Sequence, residues 1–363
     1  SFVKNYLSFN TPYNSLLLYH GLGSGKTCSA IGIAEEMRKY NKQVGIKSQI
    51  IIVAYPNVQD NFRLQLFDER KLKQENGLWT INSCVGSSLL NEINPTSQMH
   101  LPKQKIINQI KNIINQNYLF LGYSAFSNYI QYKIAVPTKT GSKKENELLR
   151  RKKMKMFFDN RLIIIDEAHN MRITKENNQD KTALLLMELA KNTDNMRLLL
   201  LSATPLYNSY EEIIWLTNLM NLNDKRSTIK ISDIFDKNGD FKKNMINDEK
   251  PIELLKRKLI GYVSYVCGEN PYSFPVRVYA NNKDYNDSFE LTLPKIQMNN
   301  KEIEDVLGNL KDFLFYNEIG LYQKEVYEML LYNLKNHKRE LFTKMGNKIE
   351  LPDFENLDSF GYA

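Results

Sequence analysis

Short apolar runs that stop abruptly at glycine, acidic or hydroxyl residues recur along this 363-residue chain. Ser15-Leu-Leu-Leu-Tyr-His20 stops at Gly21, Arg161-Leu-Ile-Ile-Ile-Asp166 stops at a second carboxylate, Glu167, and Arg197-Leu-Leu-Leu-Leu-Ser202 stops at Ala203-Thr204. Unbroken apolar runs of this kind mark strands buried on both faces of a parallel sheet, where ligands sit at the carboxyl ends of the strands. Between them the apolar spacing shifts to the helical period. The pattern predicts helices over 27–40, 58–70, 102–115, 181–191 and 210–220, and further strands over 49–54, 78–85 and 118–122. That alternation predicts an α/β fold with a mostly parallel sheet.

The break after the first strand carries the most specific chemistry. In His20-Gly-Leu-Gly-Ser-Gly-Lys-Thr27, the glycines at 21, 23 and 25, with Ser24, let backbone N–H groups turn inward, as a phosphate-binding loop requires. The helix beginning near Lys26 aims its positive end at the same point, Lys26 adds a full charge for the β/γ oxygens, and Thr27 offers a hydroxyl to Mg²⁺. His20 departs from the general pattern, which has a glycine there. At the second strand end Asp166 is placed to hold Mg²⁺ through water, and Glu167 to orient and deprotonate the water that attacks the γ-phosphate. His169, Ser202 and Thr204 lie where they sense the nucleotide.

Two other strand ends, Tyr55-Pro56-Asn57 and Gly122-Tyr123-Ser124, present N–H groups and hydroxyls suited to nucleic-acid phosphates, or else form ordinary surface turns. The strongly basic stretch 142–155 reads as a solvated helical face before it reads as a DNA contact.

A formal charge of +8 and a pI near 9.0 favour a polyanionic partner. Cys28, Cys84 and Cys267 lie far apart without a Cys-x-x-Cys pair, and the four histidines do not cluster with them. That argues against a zinc site and a disulfide-built secreted domain, and implies a reducing compartment. No apolar run reaches bilayer-spanning length and no signal-peptide architecture opens the chain, which reads as a soluble intracellular protein. A start at Ser1 without methionine implies processing or a beginning inside a longer protein.

Taken together, His-Gly-Leu-Gly-Ser-Gly-Lys-Thr, Asp-Glu-Ala-His and Ser-Ala-Thr-Pro-Leu-Tyr-Asn-Ser-Tyr-Glu-Glu resemble motifs I, II and III of superfamily 2 helicases. The third is closest to the Snf2-like branch of double-strand translocases. The stretch 261–275 resembles a segment of helicase-like proteins of large cytoplasmic DNA viruses, a group that includes the small subunit of the poxvirus early transcription factor and nucleoside triphosphate phosphohydrolase I.

The resemblance implies a RecA-like P-loop NTPase lobe that takes ATP and Mg²⁺. It implies double-stranded DNA and transcription or replication complex subunits as partners, and the host cytoplasm as location. It assigns Lys26 and Thr27 to phosphate and Mg²⁺, Asp166 and Glu167 to Mg²⁺ and water activation, and Ser202 and Thr204 to coupling.

The family's second RecA-like lobe carries a Gln-x-x-Gly-Arg-x-x-Arg element that this sequence lacks, so the chain alone is expected to bind ATP and hydrolyse it poorly. The expected organisation is a motor lobe over 1–223, a linker over 224–294, and a mainly helical region over 295–363 leading toward a second lobe. Within the last region Ile303, Val306, Leu310, Phe313 and Leu314, then Val326, Met329 and Leu330, recur at helical spacing and are expected to face a core. The function expected is that of a nucleic-acid-dependent ATPase in viral transcription or replication. A non-motor ATP-binding subunit of a transcription initiation complex is the alternative, and the motor subunit of a restriction enzyme is a third candidate.

Overall fold

The structure, a computed structural model, describes residues 6–7, 11–21, 23–96, 98–136, 142–171, 181–205, 210–236, 239–243, 245, 249–266, 302, 320–335, 341–342 and 348–349. Two units divide the chain, Ser1–Phe274 and Pro275–Ala363.

In the first unit the elements run β1 (Ser15–His20), α1 (Lys26–Gln43), β2 (Ile50–Val53), α2 (Pro56–Leu66), β3 (Leu72–Glu75) and β4 (Leu78–Ile81). They continue with α3 (Ser88–Ile93), α4 (Lys103–Asn117), β5 (Tyr118–Leu121), α5 (Tyr123–Ile134), α6 (Lys143–Phe158), β6 (Leu162–Ile165) and α7 (Lys181–Asn192). Then come β7 (Arg197–Ser202), α8 (Glu211–Asn223), α9 (Ile231–Ile234), α10 (Pro251–Leu259) and β8 (Val263–Val266).

Six strands form one sheet in the order β5-β2-β6-β7-β1-β8, and every pairing in it is parallel. The apolar runs explain why. Leu16, Leu18, Ile50, Ile52, Ile164, Leu199 and Leu201 enter one core with α1, α2 and α4, while Leu17, Ile51, Val53, Ile163, Ile165, Leu198 and Leu200 enter the other with α5 to α8. Successive side chains point to opposite faces, so a strand covered on both sides must be apolar at every position. Each such Leu or Ile contributes roughly 1.5–3 kcal/mol on burial.

The α/β class and the parallel sheet expected from the sequence are therefore present. The basic stretch is a helix, α6, started by a capping box between Ser142 and Glu145, which buries only Met154 and Phe158.

Three features differ from expectation. The strand expected over 78–85 is β4, which ends at Ile81 and pairs antiparallel with β3 in a two-stranded sheet of its own. Its cause is the turn Asn76-Gly77, where both residues take positive φ (51° and 80°), the backbone of a tight hairpin. Secondly, the first unit continues past Asn223, because β8 lies beside β1 and the Leu17 N–H donates to the Tyr262 carbonyl at 2.7 Å. Thirdly, Cys28 and Cys84, which no spacing pattern pairs, are disulfide-bonded across a separation of 56 residues with Cα atoms 5.2 Å apart. This is a single link behind the phosphate loop, not a disulfide scaffold.

In the second unit α11 (Leu321–Lys335) is followed by β9 (Leu341–Phe342) and β10 (Lys348–Ile349), which pair antiparallel. Met329, expected to face a core, is 42% exposed, and Tyr322, Tyr327 and Tyr332 on the same helix are exposed as well. Ile303, Val306, Leu310, Phe313 and Leu314 lie outside the described residues, as do the side chains of Val326 and Leu330. No helix among the described residues is long and apolar enough to cross a membrane.

Candidate functional site

The sheet order places β6, β7 and β1 side by side, so three of the sequence's polar stops converge at one edge. Gly23 and Gly25 take φ of 75° and 80°, a left-handed backbone that costs glycine nothing. A Cβ at Gly25 would meet nothing within 4 Å, so the backbone there is open to an approaching ligand. Ser24 closes the loop on itself, its hydroxyl donating to the Gly21 carbonyl at 2.6 Å, and α1 begins at Lys26. His20 is buried, its Nε2 lies 2.9 Å from Ser264 Oγ on β8, and burial followed by nearby Lys26 holds its imidazole below the usual pKa. A neutral ring thus takes the place of the glycine that the general pattern has there.

Lys26 Nζ is buried and has no hydrogen-bond partner among the described residues, facing Glu167 Oε1 at 3.7 Å. A buried ammonium with unused donors is costly, and an anion that accepts them removes the cost. Asp166, 8% exposed, is pushed up to about 6 by burial and then by the adjoining Glu167, with Lys26 pulling the other way. That is the situation of a carboxylate which gains from a cation. Glu167 has φ 44° and ψ 57°, left-handed for a residue with a Cβ, and its carboxylate lies 3.3 Å from His169 Nδ1. His169 Nδ1 is 3.1 Å from Ser202 Oγ, which accepts the Thr204 N–H at 3.0 Å.

The structure therefore brings together Lys26, Glu167, His169, Ser202 and Thr204, with Asp166 beside them. The loop and the orphaned lysine fit a triphosphate, and the buried Asp166 carboxylate fits Mg²⁺, an ion that needs few protein ligands.

The other two polar stops are also neighbours. Tyr55 and Tyr123 pack edge to face with ring centroids 5.0 Å apart. Pro56 and Asn57 open α2, and Asn57 Oδ1 accepts the Val58 N–H at 3.0 Å, while Ser124 is exposed. The Tyr123 hydroxyl points inward and donates to the Asp166 carbonyl at 2.7 Å. Sequence reading missed that direction, together with Tyr55 as a ring partner and Asn170, whose Nδ2 donates to the same hydroxyl at 3.5 Å. Tyr55 was visible in the motif; nothing local signals where the Tyr123 hydroxyl points. The tail 206–209 of the third motif lies outside the described residues, as does 267–275 of the viral-type segment.

A parallel sheet with a glycine loop and two carboxylates at its carboxyl edge defines a P-loop nucleotide-binding lobe of the RecA-like kind. Residues 3–260 match the SNF2-related domain family, and the chain belongs to it. It is 30% identical over 276 residues to "Putative ATP-dependent RNA helicase R563" of Acanthamoeba polyphaga mimivirus, covering 76% of this chain and 41% of that protein. It is 25% identical over 271 residues to "Putative helicase 087L" of Invertebrate iridescent virus 3, covering 73% of this chain and 22% of the relative. The chain thus spans about two fifths of the mimivirus protein's length and less of the iridovirus protein's. Among solved structures, the Sulfolobus solfataricus SWI2/SNF2 ATPase core in complex with dsDNA is 17% identical with a TM-score of 0.37, covering 69% of this chain and 39% of that one.

Proposed function

We propose that this chain is the nucleotide-binding lobe of a nucleic-acid-dependent ATPase that moves on or remodels duplex DNA during transcription or replication of a large DNA virus. The observation that carries the reading is Lys26 Nζ, buried without a hydrogen bond among the described residues and facing Glu167 across 3.7 Å at the meeting of three strand ends. Gly21, Gly23, Ser24, Gly25 and Lys26 hold the phosphates, and Thr27 and Asp166 hold Mg²⁺. Bound ATP supplies the phosphoanhydride bond, and Mg²⁺ neutralises charge on its phosphates.

Glu167 orients a water and takes its proton, and the left-handed turn at that residue is what aims its carboxylate across to Lys26. His169 joins this acid to Ser202 on β7, so a change at Glu167 is felt at Thr204. Pro56, Asn57 and Ser124 lie at the neighbouring strand ends β2 and β5, where they meet nucleic-acid phosphates. Family resemblance supports an arginine contribution from a second lobe, worth several orders of magnitude in rate.

The test is Glu167→Gln in the complete protein. Nucleic-acid-stimulated ATP hydrolysis is expected to fall by about 100-fold or more while ATP still binds. Unchanged stimulated hydrolysis would sink the reading.

A further inference from the structure

Tyr123 occupies a position that its sequence context does not explain. In the sheet order, β2 lies between β5 and β6. Strands two places apart are about 9.5 Å from each other, so a group on the end of β5 reaches β6 only with a long side chain carried over the end of β2. Tyr123, the first residue after Gly122 at the end of β5, makes that crossing: its hydroxyl donates to the Asp166 carbonyl at 2.7 Å. On the way its ring lies against that of Tyr55, with centroids 5.0 Å apart and planes at 77°. Tyr55 follows β2, is 49% exposed and directly precedes Pro56 and Asn57. One phenol therefore joins the ends of three strands.

The receiving end is sensitive to rotation. The Asp166 carbonyl belongs to the peptide unit that leads into Glu167, whose φ of 44° is a strained value for a residue with a side chain. Such a turn persists only where its surroundings fix it. At the other side of that unit the Asp166 N–H donates to the Val53 carbonyl of β2 at 2.9 Å, so main chain and Tyr123 hold residue 166 from both ends. Rotating the carbonyl away from the hydroxyl swings the Glu167 carboxylate off its 3.7 Å approach to Lys26 and its 3.3 Å approach to His169. Burial raises the phenol's pKa far above its ordinary value, which keeps the hydroxyl a donor at any working pH.

We propose that Tyr123 is a positioning residue that relays nucleic-acid contact at Tyr55, Pro56 and Asn57 to the Asp166–Glu167 peptide and so sets the water-activating carboxylate. This rests on the ATPase reading above. Nucleic acid seated against the exposed Tyr55 ring fixes the Tyr123 ring behind it, and the hydroxyl fixes the peptide. Asn170, 3.5 Å away, supplies the second partner that keeps the hydroxyl from turning outward.

The experiment uses the complete protein with Tyr123→Phe, Tyr55→Ala and the double variant. It measures steady-state ATP hydrolysis with and without duplex DNA or RNA, and affinity for a fluorescein-labelled duplex DNA by anisotropy. Tyr123→Phe keeps the ring and loses only the hydroxyl; unfolding temperature reports that the fold survives.

The expected result for Tyr123→Phe is a duplex-stimulated kcat lowered roughly 10-fold, from about 1.4 kcal/mol of lost positioning, with KM for ATP and duplex affinity within about 2-fold of wild type. The double variant is expected to lose no more stimulation than the worse single variant, since both act on one relay.

Wild-type stimulation in Tyr123→Phe overturns the relay alone. Duplex affinity falling in step with stimulation also overturns it, because Tyr123 would then be a direct contact. A wild-type protein whose hydrolysis ignores duplex DNA and RNA alike overturns the ATPase reading, and the relay with it.

Discussion

Both ends of the central sheet carry polar and charged side chains and put them to opposite use. At the amino ends of the strands, polar side chains knit the layers together. Asn223 Nδ2 donates to the carbonyls of Asn14 and Met196, at 3.1 and 2.7 Å, and to Ser15 Oγ at 3.0 Å. Arg161 donates to the carbonyls of Gln49 and Phe157 and to the Tyr129 hydroxyl. At the carboxyl ends, Lys26 Nζ makes no hydrogen bond among the described residues, Asp166 is a buried acid held above its normal pKa, and Glu167 sits in a left-handed turn. The first arrangement ties the layers together, although Asn223 Oδ1 finds no partner among the described residues, and the second holds charge at a cost. A lobe that binds a charged ligand needs both, because groups already satisfied have nothing left to give a ligand.

That contrast breaks most visibly through activity. Lys26→Ala in the complete protein is expected to lower nucleic-acid-stimulated ATP hydrolysis by about 100-fold or more, the scale for removing one preorganised charge. Its unfolding temperature should stay close to that of wild type, since the lost amine has no hydrogen bond among the described residues and gives up only its 3.7 Å approach to Glu167. A large drop in stability would show that Lys26 belongs to the scaffold.

Asn223→Ala is the opposite probe. It strips donors from two carbonyls and a hydroxyl, with an expected loss of roughly 2–4 kcal/mol and a thermal midpoint lower by about 5–10 °C. Below its own midpoint the variant is expected to hydrolyse ATP at the wild-type rate. Slower hydrolysis in a fully folded sample would mean that the two ends are not separable.

How much of this was legible in the sequence follows from burial. β1, β6 and β7 could be read because the central positions of strands covered on both faces are apolar, and their ends could be read because the run stops at once. Lys26 and Glu167 were likewise recognisable by residue type and place. The hairpin of β3 and β4 was misread because Leu78-Trp-Thr-Ile81 has the composition of a core strand, and only Asn76-Gly77 shows that it folds back. β8 escaped because an edge strand such as Val263-Ser-Tyr-Val266 carries polar and exposed positions and looks like linker. The Cys28–Cys84 bond and the Tyr123 hydroxyl join residues far apart in sequence, and no local period encodes where two such loops meet.

The smallest expected effect tests the cost of the carboxyl end directly. Asp166 has its folded pKa raised from 3.8 to about 6, chiefly by burial. Below about pH 3 the acid is protonated in folded and unfolded chains alike and the site costs nothing. As pH rises from the unfolded value of 3.8 toward the folded value of about 6, the unfolded chain ionises while the folded one does not, and stability falls. Above about pH 7 the difference is complete, on the order of 3 kcal/mol.

Asp166→Asn keeps the shape and removes the charge. In magnesium-free buffer its stability advantage over wild type should be absent near pH 3 and grow to that limit by neutral pH, read by urea titration at each pH. The same variant is expected to lose ATP hydrolysis, so its added stability would come at the residue that function requires charged. An advantage independent of pH would locate the gain in packing; no advantage at neutral pH would show that the Lys26 charge already compensates the buried carboxylate, and the two ends of the sheet would then differ less than their hydrogen bonds suggest.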